Sequence, residues 1–294
     1  MNTNKVNYYP QDTEQLRRNL TNVLLSLMVL MLALILSNHA IAKDDTGFPG
    51  RKLYPQVTTL SKEQLYDKIV KEEVVIVDVR SAYEFQTLKI LNATNIPVSK
   101  KSFTDKLKAL REKTDKDIVF YCNGRTCFKS YNAVMKAIKY NVKNCFSYDA
   151  GVFEWALKYP NEAALLDQTP VEEEAIISKG ELNAHLLSPK EFEQRSLETN
   201  SIIYDVRDRI QRHGSGGIFM FRDKFVGLDN VRKLHKIIFK AEQNNSTLFF
   251  YDAKGKQVRW LQYTLKAQGL TKYYFMKGGA AAYYKMIREE QAGS

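Results

Sequence analysis

Cysteine and histidine are both scarce in this chain. Its 294 residues include three cysteines and four histidines. So few cysteines cannot form a disulfide scaffold, and each thiol is therefore considered by itself. No histidine lies between Lys43 and Pro160, which excludes a Cys–His dyad within that stretch. Cys122 and Cys127 are spaced C-x4-C without a second Cys or His pair, so the sequence predicts no metal site.

Long apolar runs are also rare, and the one that stands out is near the N-terminus. Val23–Leu36 contains 14 residues, too few to span a bilayer comfortably as a helix. Arg17 and Arg18 precede this run, and the small-x-small sequence Ala40–Ala42 follows it. The pattern predicts a signal peptide over 1–42 and export, to the periplasm in a Gram-negative bacterium. The alternative is an uncleaved signal anchor that holds the domains outside the cytoplasm, and only then would the protein contact a membrane.

Positive charge exceeds negative charge. The chain has 44 Lys and Arg against 33 Asp and Glu, a formal net charge of +11. Such a charge favours anions, and small anionic substrates, acidic partners or anionic lipids all fit. The basic residues are spread along the chain, and no known DNA or RNA motif is present, so nucleic acid is not a predicted partner.

Apolar strand-like runs alternate with amphipathic segments. Val74–Asp78 and Ile118–Tyr121 read as buried parallel strands. Ser61 begins one helix as an N-cap, and Phe103–Lys113 and Lys129–Tyr140 have helical spacing of their apolar residues. This alternation predicts an α/β fold with a parallel sheet.

The pattern occurs twice. Ser188 lies 127 residues after Ser61, and the Asp205 sequence lies 127 residues after the Asp78 sequence. A constant offset predicts a tandem duplication. The predicted segments are a linker over 43–55, a first domain over 56–160, a linker over 161–180 and a second domain over 181–290.

Several short sequences in the first domain carry a family resemblance. Asp78-Val-Arg80, Glu84-Phe85 and Ala93-Thr-Asn-Ile-Pro97 resemble the first signature of the rhodanese family. The resemblance covers most of 56–160 and recurs more faintly over 180–290. It implies two tandem rhodanese-like domains, each a parallel five-stranded sheet flanked by helices. This chain departs from the family at Leu88-Lys89, where Gly-His is usual, and at Asn92, where Gly is usual.

The loop after the central strand is where the family carries its active cysteine. Here Tyr121 is followed by Cys122-Asn-Gly-Arg-Thr-Cys-Phe-Lys129-Ser130. The family's usual loop is Cys, four residues, Arg and then Ser or Thr, so this loop is two residues longer and has Lys in place of Arg. The resemblance implies that Cys122 is the catalytic nucleophile. It also implies a substrate-binding set of Asn123, Gly124, Arg125, Thr126, Cys127, Phe128 and Lys129.

The chemistry of sulfur transfer agrees with this position. A thiolate must attack a sulfane sulfur, and a free thiol has a pKa of about 8.5. A loop that curls into a helix N-terminus supplies backbone N–H groups, and Arg125 and Lys129 add positive charge, so we expect the anion to be favoured. The predicted function is a thiosulfate or persulfide sulfurtransferase without a cofactor, acting on a small anionic sulfur substrate and a thiol or protein acceptor.

Other functions remain open at this stage. Cys122 and Cys127 could form a thiol redox pair, in which Cys127 resolves Cys122 or its persulfide, or Cys127 could be a neutral loop residue. A non-catalytic binding module is a third possibility. A phosphatase or arsenate reductase ranks last, because Lys129 cannot make the bidentate contact of an Arg. Cys145 is expected to pack in the core.

The remaining charged positions favour structural roles. Asp78, Arg80 and Glu84 are expected to form a charged network that ties the strand end to the next turn. In the second domain Asp252 stands where the thiol should be. Asp cannot form a persulfide, so the second domain is predicted to keep the fold without the chemistry. Its sequence His213-Gly-Ser-Gly-Gly217 is predicted to be a plain loop.

Overall fold

The structure is a computed structural model that describes residues 47–208, 211–212, 216–219 and 221–293. The predicted signal segment 1–42 lies outside these residues, as does much of the predicted loop at 213–217. Within the described ranges, no helix has the length and apolar character that crossing a membrane requires.

Helices and strands alternate along both halves, as the sequence predicts. The helices are α1 Pro49–Leu53, α2 Lys62–Val70, α3 Ala82–Thr87, α4 Phe103–Arg111, α5 Lys129–Lys139, α6 Gly151–Lys158, α7 Lys179–Ala184, α8 Pro189–Arg195, α9 Val231–Gln243, α10 Val258–Ala267 and α11 Gly279–Gly293. The strands are β1 Val74–Asp78, β2 Leu88–Ile90, β3 Thr94–Asn95, β4 Asp117–Tyr121, β5 Cys145–Tyr148, β6 Ala163–Leu165, β7 Leu186–Leu187, β8 Ser201–Asp205, β9 Asp223–Phe225, β10 Thr247–Tyr251 and β11 Tyr273–Met276.

The first sheet is parallel, with the strand order β3-β1-β4-β5. β1 and β4 are apolar runs rich in β-branched and aromatic residues, which favour a buried strand. They pair in register from Val74 with Asp117 to Asp78 with Tyr121. The chain therefore brings Asp78 and the residue after Tyr121 to the same carboxyl edge, where α/β sheets place their ligands.

The second sheet has the five parallel strands that were expected, in the order β7-β11-β10-β8-β9. The first sheet has four, and its fifth position is held by one parallel bridge between Thr59 and Ser147. Two residues after the bridge, the Ser61 side chain caps α2 in a reciprocal bond with Gln64.

The segments predicted as linkers carry structure of their own. β6 lies within 161–180 and pairs antiparallel with β2, so that Ala163 and Leu165 are buried against the first half. α1 lies within 43–55, and Arg51 holds it to Asp149 through two hydrogen bonds of 2.8 and 3.2 Å. Buried apolar side chains hold β6 in place, and the ion pair of Arg51 with Asp149 holds α1 in place. Neither segment is therefore an unstructured linker.

The two halves share one apolar core. Trp155 of the first half and Leu261 of the second belong to the same buried cluster. α10 of the second half packs on α3 of the first, where the Tyr83 and Thr264 hydroxyls share a 2.6 Å hydrogen bond. The two sheets thus form one body whose architecture fits a tandem arrangement, and α10 lies beside the carboxyl edge of the first sheet.

Candidate active site

A buried ion pair forms the base of the candidate site. Asp78 and Arg80 are both fully buried, and Arg80 donates from Nη2 to Asp78 at 2.5 Å and to the Leu88 carbonyl at 2.6 Å. The guanidinium lies between the rings of Tyr121 and Trp260, 5.5 and 5.0 Å from their centroids. Burial by itself lowers the pKa of Arg80, but the charge and the hydrogen bonds of Asp78 have the larger combined effect and raise it. The pair thereby ties the end of β1 to the start of β2.

The second half repeats this arrangement. Arg207 donates to Asp205 at 2.8 Å and to the Gly216 carbonyl at 2.7 Å, and its guanidinium lies 5.4 Å from the ring centroid of Tyr251. Corresponding residues therefore perform the same structural task in both halves. This network does not distinguish the half with the cysteine from the half without it.

Glu84 connects the network to the cysteine loop. Its Oε1 accepts from the Asn123 amide at 2.9 Å, and its Oε2 accepts from Lys129 Nζ at 3.2 Å and from the Ser81 backbone at 3.0 Å. Burial raises the pKa of this carboxyl, but the charges of Lys129 and Arg80 and the Asn123 hydrogen bond outweigh burial and lower the pKa to about 2. The two ends of the loop are thus fixed to α3 by one carboxylate.

Cys122 lies at the bottom of the loop. Its side chain is fully buried, with Sγ 2.9 Å from the Cys127 carbonyl oxygen and 3.7 Å from Ser130 Oγ. Burial raises the pKa of Cys122 well above its usual value, and the Ser130 N–H and hydroxyl only partly oppose this. The sequence predicts a loop that favours the Cys122 thiolate; in the resting protein desolvation is the larger effect and raises the pKa of Cys122.

Cys127 is the acidic thiol of the loop. Its sulfur accepts a hydrogen bond from Cys122 and backbone N–H bonds from Asn123 and Lys129, and the Lys129 charge is nearby. Together these lower the pKa of Cys127 to about 6, against the effect of burial. The loop therefore directs N–H groups at the Cys127 sulfur and lowers the pKa of this thiol, which is also less buried than Cys122.

The two cations of the loop are each paired with a carboxylate. Arg125 forms a two-point ion pair with Glu154, one contact being 3.0 Å, and stacks 4.5 Å above the ring centroid of Phe48. Lys129 is bound to Glu84. Arg125 therefore contributes to the outer wall of the loop, and neither cation is among the groups that hydrogen-bond to sulfur. Of the other predicted residues, Thr126 is exposed and Phe128 packs against Tyr54.

Glycine at position 151 lets the last helix of the first half approach the loop. A Cβ there would lie 2.3 Å from the Gly124 nitrogen, and the φ of +79° favours glycine. Val152 N–H, at the start of α6, then donates to the Cys122 carbonyl at 3.0 Å. In the second half Ala280 N–H donates to the Asp252 carbonyl at 2.8 Å, and a Cβ at Gly279 would lie 2.8 Å from the Gly255 nitrogen.

In the second half, the carboxylate of Asp252 occupies the loop interior. It accepts four backbone N–H bonds, from Lys254 at 2.8 Å, Val258 at 3.1 Å, Gly255 and Gln257. Asp252 is 1% exposed. Loops at the same place in both halves therefore direct N–H groups at an anion, a carboxylate in one and a sulfur in the other.

Sequence reasoning missed two residues of the site. Ser130 was quoted in the loop but given no role, although its N–H and hydroxyl are the groups that favour the anion on Cys122. Trp260, which covers Arg80, comes from the other half, and no local pattern could have placed it there. Among the described residues, no group of His, Cys, Asp and Glu is arranged to hold a metal ion.

These contacts define an α/β domain that carries a cysteine between a central strand and the N-terminus of a helix. The family model of the rhodanese-like domain matches residues 61–158, which contain the cysteine loop. Residues 61–158, about a third of the chain, are therefore similar to a rhodanese-like domain. A search of proteins with curated functions found no match.

Solved structures of rhodanese-like proteins resemble the chain at low identity. A thiosulfate sulfurtransferase from Pseudomonas aeruginosa is 11% identical over 82% of this chain and 67% of its own, with a TM-score of 0.34. A rhodanese-related protein from Thermoplasma volcanium is 24% identical over 35% of this chain and 93% of its own, with a TM-score of 0.30. A single-domain sulfurtransferase from Saccharomyces cerevisiae is 21% identical over 35% and 91%, also with a TM-score of 0.30.

Replacing Asp252 tests how strongly the second loop depends on its internal anion. Asp252→Ala leaves four backbone N–H groups without their acceptor, and we expect a loss of roughly 3–5 kcal/mol in the free energy of unfolding. Denaturant unfolding measures it. The exposed Asp115→Ala is the matched control and should change stability by less than about 0.5 kcal/mol. A loss at Asp252 as small as that of the control would contradict this account.

Glu84 should make the stability of the first half pH-dependent. Its folded pKa of about 2 lies below the ordinary 4.5, so its contribution is fully present above about pH 4.5 and declines as the pH falls towards 2. Glu84→Gln should therefore cost about 3 kcal/mol at pH 7, and the difference from wild type should shrink in acid. Denaturant unfolding of both proteins at pH 7, 4 and 3 measures the difference, and a cost independent of pH would be inconsistent with the ion pair.

Alkylation should distinguish the three thiols. Cys127, with a pKa of about 6, should react with iodoacetamide at a rate that rises through pH 6 and is constant above about pH 7. Cys145 is the internal control, because burial raises its pKa to about 11 and its labelling should require alkaline solution. Peptide mass spectrometry locates each label. Cys122→Ala removes the donor to Cys127 and should shift the midpoint upward; an unchanged midpoint would show that Cys122 gives no such bond.

Proposed function

We propose that the protein is a rhodanese-type sulfurtransferase, in which Cys122 takes sulfane sulfur from thiosulfate or a persulfide and passes it to a thiol or protein acceptor. The observation that carries the proposal is the pair of backbone N–H groups, from Asn123 and Lys129, that donate to the Cys127 sulfur next to Cys122. Sulfur transfer requires such a place for the outer, charged sulfur of a persulfide. The position of Cys122 at the carboxyl edge of the sheet adds support.

The first step is the loading of Cys122. Its thiol loses a proton, and the Ser130 N–H and hydroxyl stabilise the thiolate that results. The thiolate attacks the outer sulfur of thiosulfate, a sulfur–sulfur bond to Cys122 forms, and sulfite leaves with the electrons of the broken bond. The outer sulfur of the new persulfide then takes the N–H groups of Asn123 and Lys129, once the Cys127 sulfur has moved aside.

The second half supports the first without taking part in transfer. A carboxylate holds the loop interior there, and Asp252 cannot accept sulfur. Trp260 of the same half covers Arg80, whose Nη1 donates to the Asn123 side chain at 3.2 Å. In this proposal the second half fixes the wall of the loop, and it acts as a structural partner for the first.

Sulfur transfer from thiosulfate to cyanide tests the function. The full-length chain should produce thiocyanate, and Cys122→Ser should reduce production to background because a hydroxyl cannot carry sulfane sulfur. Cys145→Ser is the matched control and should retain the activity, since Cys145 lies in β5, outside the loop. Intact-protein mass spectrometry after thiosulfate alone reports whether the chain reacts with the donor. If wild type gives neither thiocyanate nor any change in mass, the first half is a binding module and not an enzyme.

A further inference from the structure

The resting loop brings its two thiols into direct contact. Cys122 Sγ donates to the Cys127 carbonyl oxygen at 2.9 Å and is also within hydrogen-bonding reach of the Cys127 sulfur. A turn holds them together, in which Cys127 N–H donates to the Gly124 carbonyl at 2.8 Å. Cys145, the third thiol, has its sulfur near the Lys143 carbonyl in β5 and makes no such contact.

Cys127 occupies the place that a persulfide on Cys122 needs. The N–H groups of Asn123 and Lys129 point at the Cys127 sulfur, and the outer sulfur of a Cys122 persulfide has to compete for them. Two sulfur anions then lie at one small site beside Cys122. The Cys127 thiolate is thereby next to the sulfur–sulfur bond as soon as that bond exists, which is the arrangement that thiol–disulfide exchange requires.

We propose that Cys127 is a resolving thiol, which attacks the Cys122 persulfide, releases the transferred sulfur as hydrosulfide and leaves a Cys122–Cys127 disulfide. The inference rests on the proposed function, because it requires a persulfide on Cys122. It assigns to this loop a second outcome besides transfer to an outside acceptor. The class of product is inorganic sulfide.

The step balances in atoms and electrons. The Cys127 thiolate attacks Cys122 Sγ, the inner sulfur of the persulfide, and forms the new sulfur–sulfur bond. The bond between Cys122 Sγ and the outer sulfur breaks, and the outer sulfur, after taking up the proton that the Cys122 thiol lost on loading, leaves as hydrosulfide with the bonding pair. The Cys127 sulfur is oxidised and the outer sulfur is reduced. A dithiol reductant then returns the disulfide to two thiols, so each further cycle consumes one dithiol.

The surrounding charges favour Cys127 as the attacking thiolate and Cys122 as the sulfur carrier. Lys129 is the cation nearest the Cys127 sulfur, and the carboxylate of Glu84 is directed at Lys129 Nζ and the Asn123 amide. Glu154 is held by Arg125 at the outer wall. The carboxylates nearest the loop are thus bound to cations or amides, and they do not compete with the sulfur atoms for the backbone N–H groups.

A single-turnover experiment tests the proposal. The reduced full-length chain is mixed with one equivalent of thiosulfate in the absence of acceptor, and sulfite, hydrosulfide and intact mass are measured. We expect wild type to release one sulfite and one hydrosulfide per chain and to end two hydrogens lighter, with the disulfide mapped to Cys122 and Cys127. Cys127→Ser should release sulfite alone and retain one sulfur atom on Cys122, and Cys145→Ser should behave as wild type.

The outcomes distinguish the resolving role of Cys127 from the sulfurtransferase activity of Cys122. If wild type retains the sulfur on Cys122 as Cys127→Ser does, the resolving role is wrong and the sulfurtransferase proposal stands. If neither protein releases sulfite, the proposed function fails, and the inference fails with it. Cys127→Ala repeats the measurement should the serine variant be misfolded, which circular dichroism reports.

Discussion

Backbone N–H groups that converge on one point in a loop need a negative partner there, and this requirement organises both halves of the protein. In the second half the partner is the Asp252 carboxylate, held by four N–H groups. In the first half it is the Cys127 sulfur, held by two. Buried donors without an acceptor are costly, so neither loop can be left without its anion. Gly151 and Gly279 have matching roles, because the absence of a side chain at each position lets the N-terminus of a helix approach the loop.

The same requirement for an anion in the loop gives the two cysteines different properties. Full burial protects Cys122 from solvent but disfavours its thiolate, since desolvation raises the pKa of any thiol. Cys127 lies nearer the surface and collects the donors of the loop, so it carries the charge at rest. A buried thiol that is loaded with sulfur and an ionised thiol beside it form a pair whose chemistry is exchange, whatever the identity of the outside donor and acceptor.

The second half keeps the central ion pair of the first and has a carboxylate in place of its thiol. Asp205 and Arg207 reproduce the ion pair of Asp78 and Arg80, down to the carbonyl that accepts from the guanidinium. What the second half provides to the site is packing. Trp260 covers Arg80, and α10 bonds to α3 through Thr264, so a helix of one half limits the movement of the loop in the other.

Local patterns in the sequence determined the α/β class and the position of the central strands. They also determined the capped helix starts at Ser61 and Ser188 and the place of Cys122 between β4 and a helix. These features follow from sequence because strand propensity, apolar spacing and capping act between near neighbours. A constant offset along the chain predicted that two similar units follow one another. Only the tertiary structure decided which thiol is ionised, that Arg125 pairs with Glu154, that β6 folds back on β2 and that Trp260 covers the site. Burial and the direction of backbone N–H groups set these features, and both depend on which distant segments pack together.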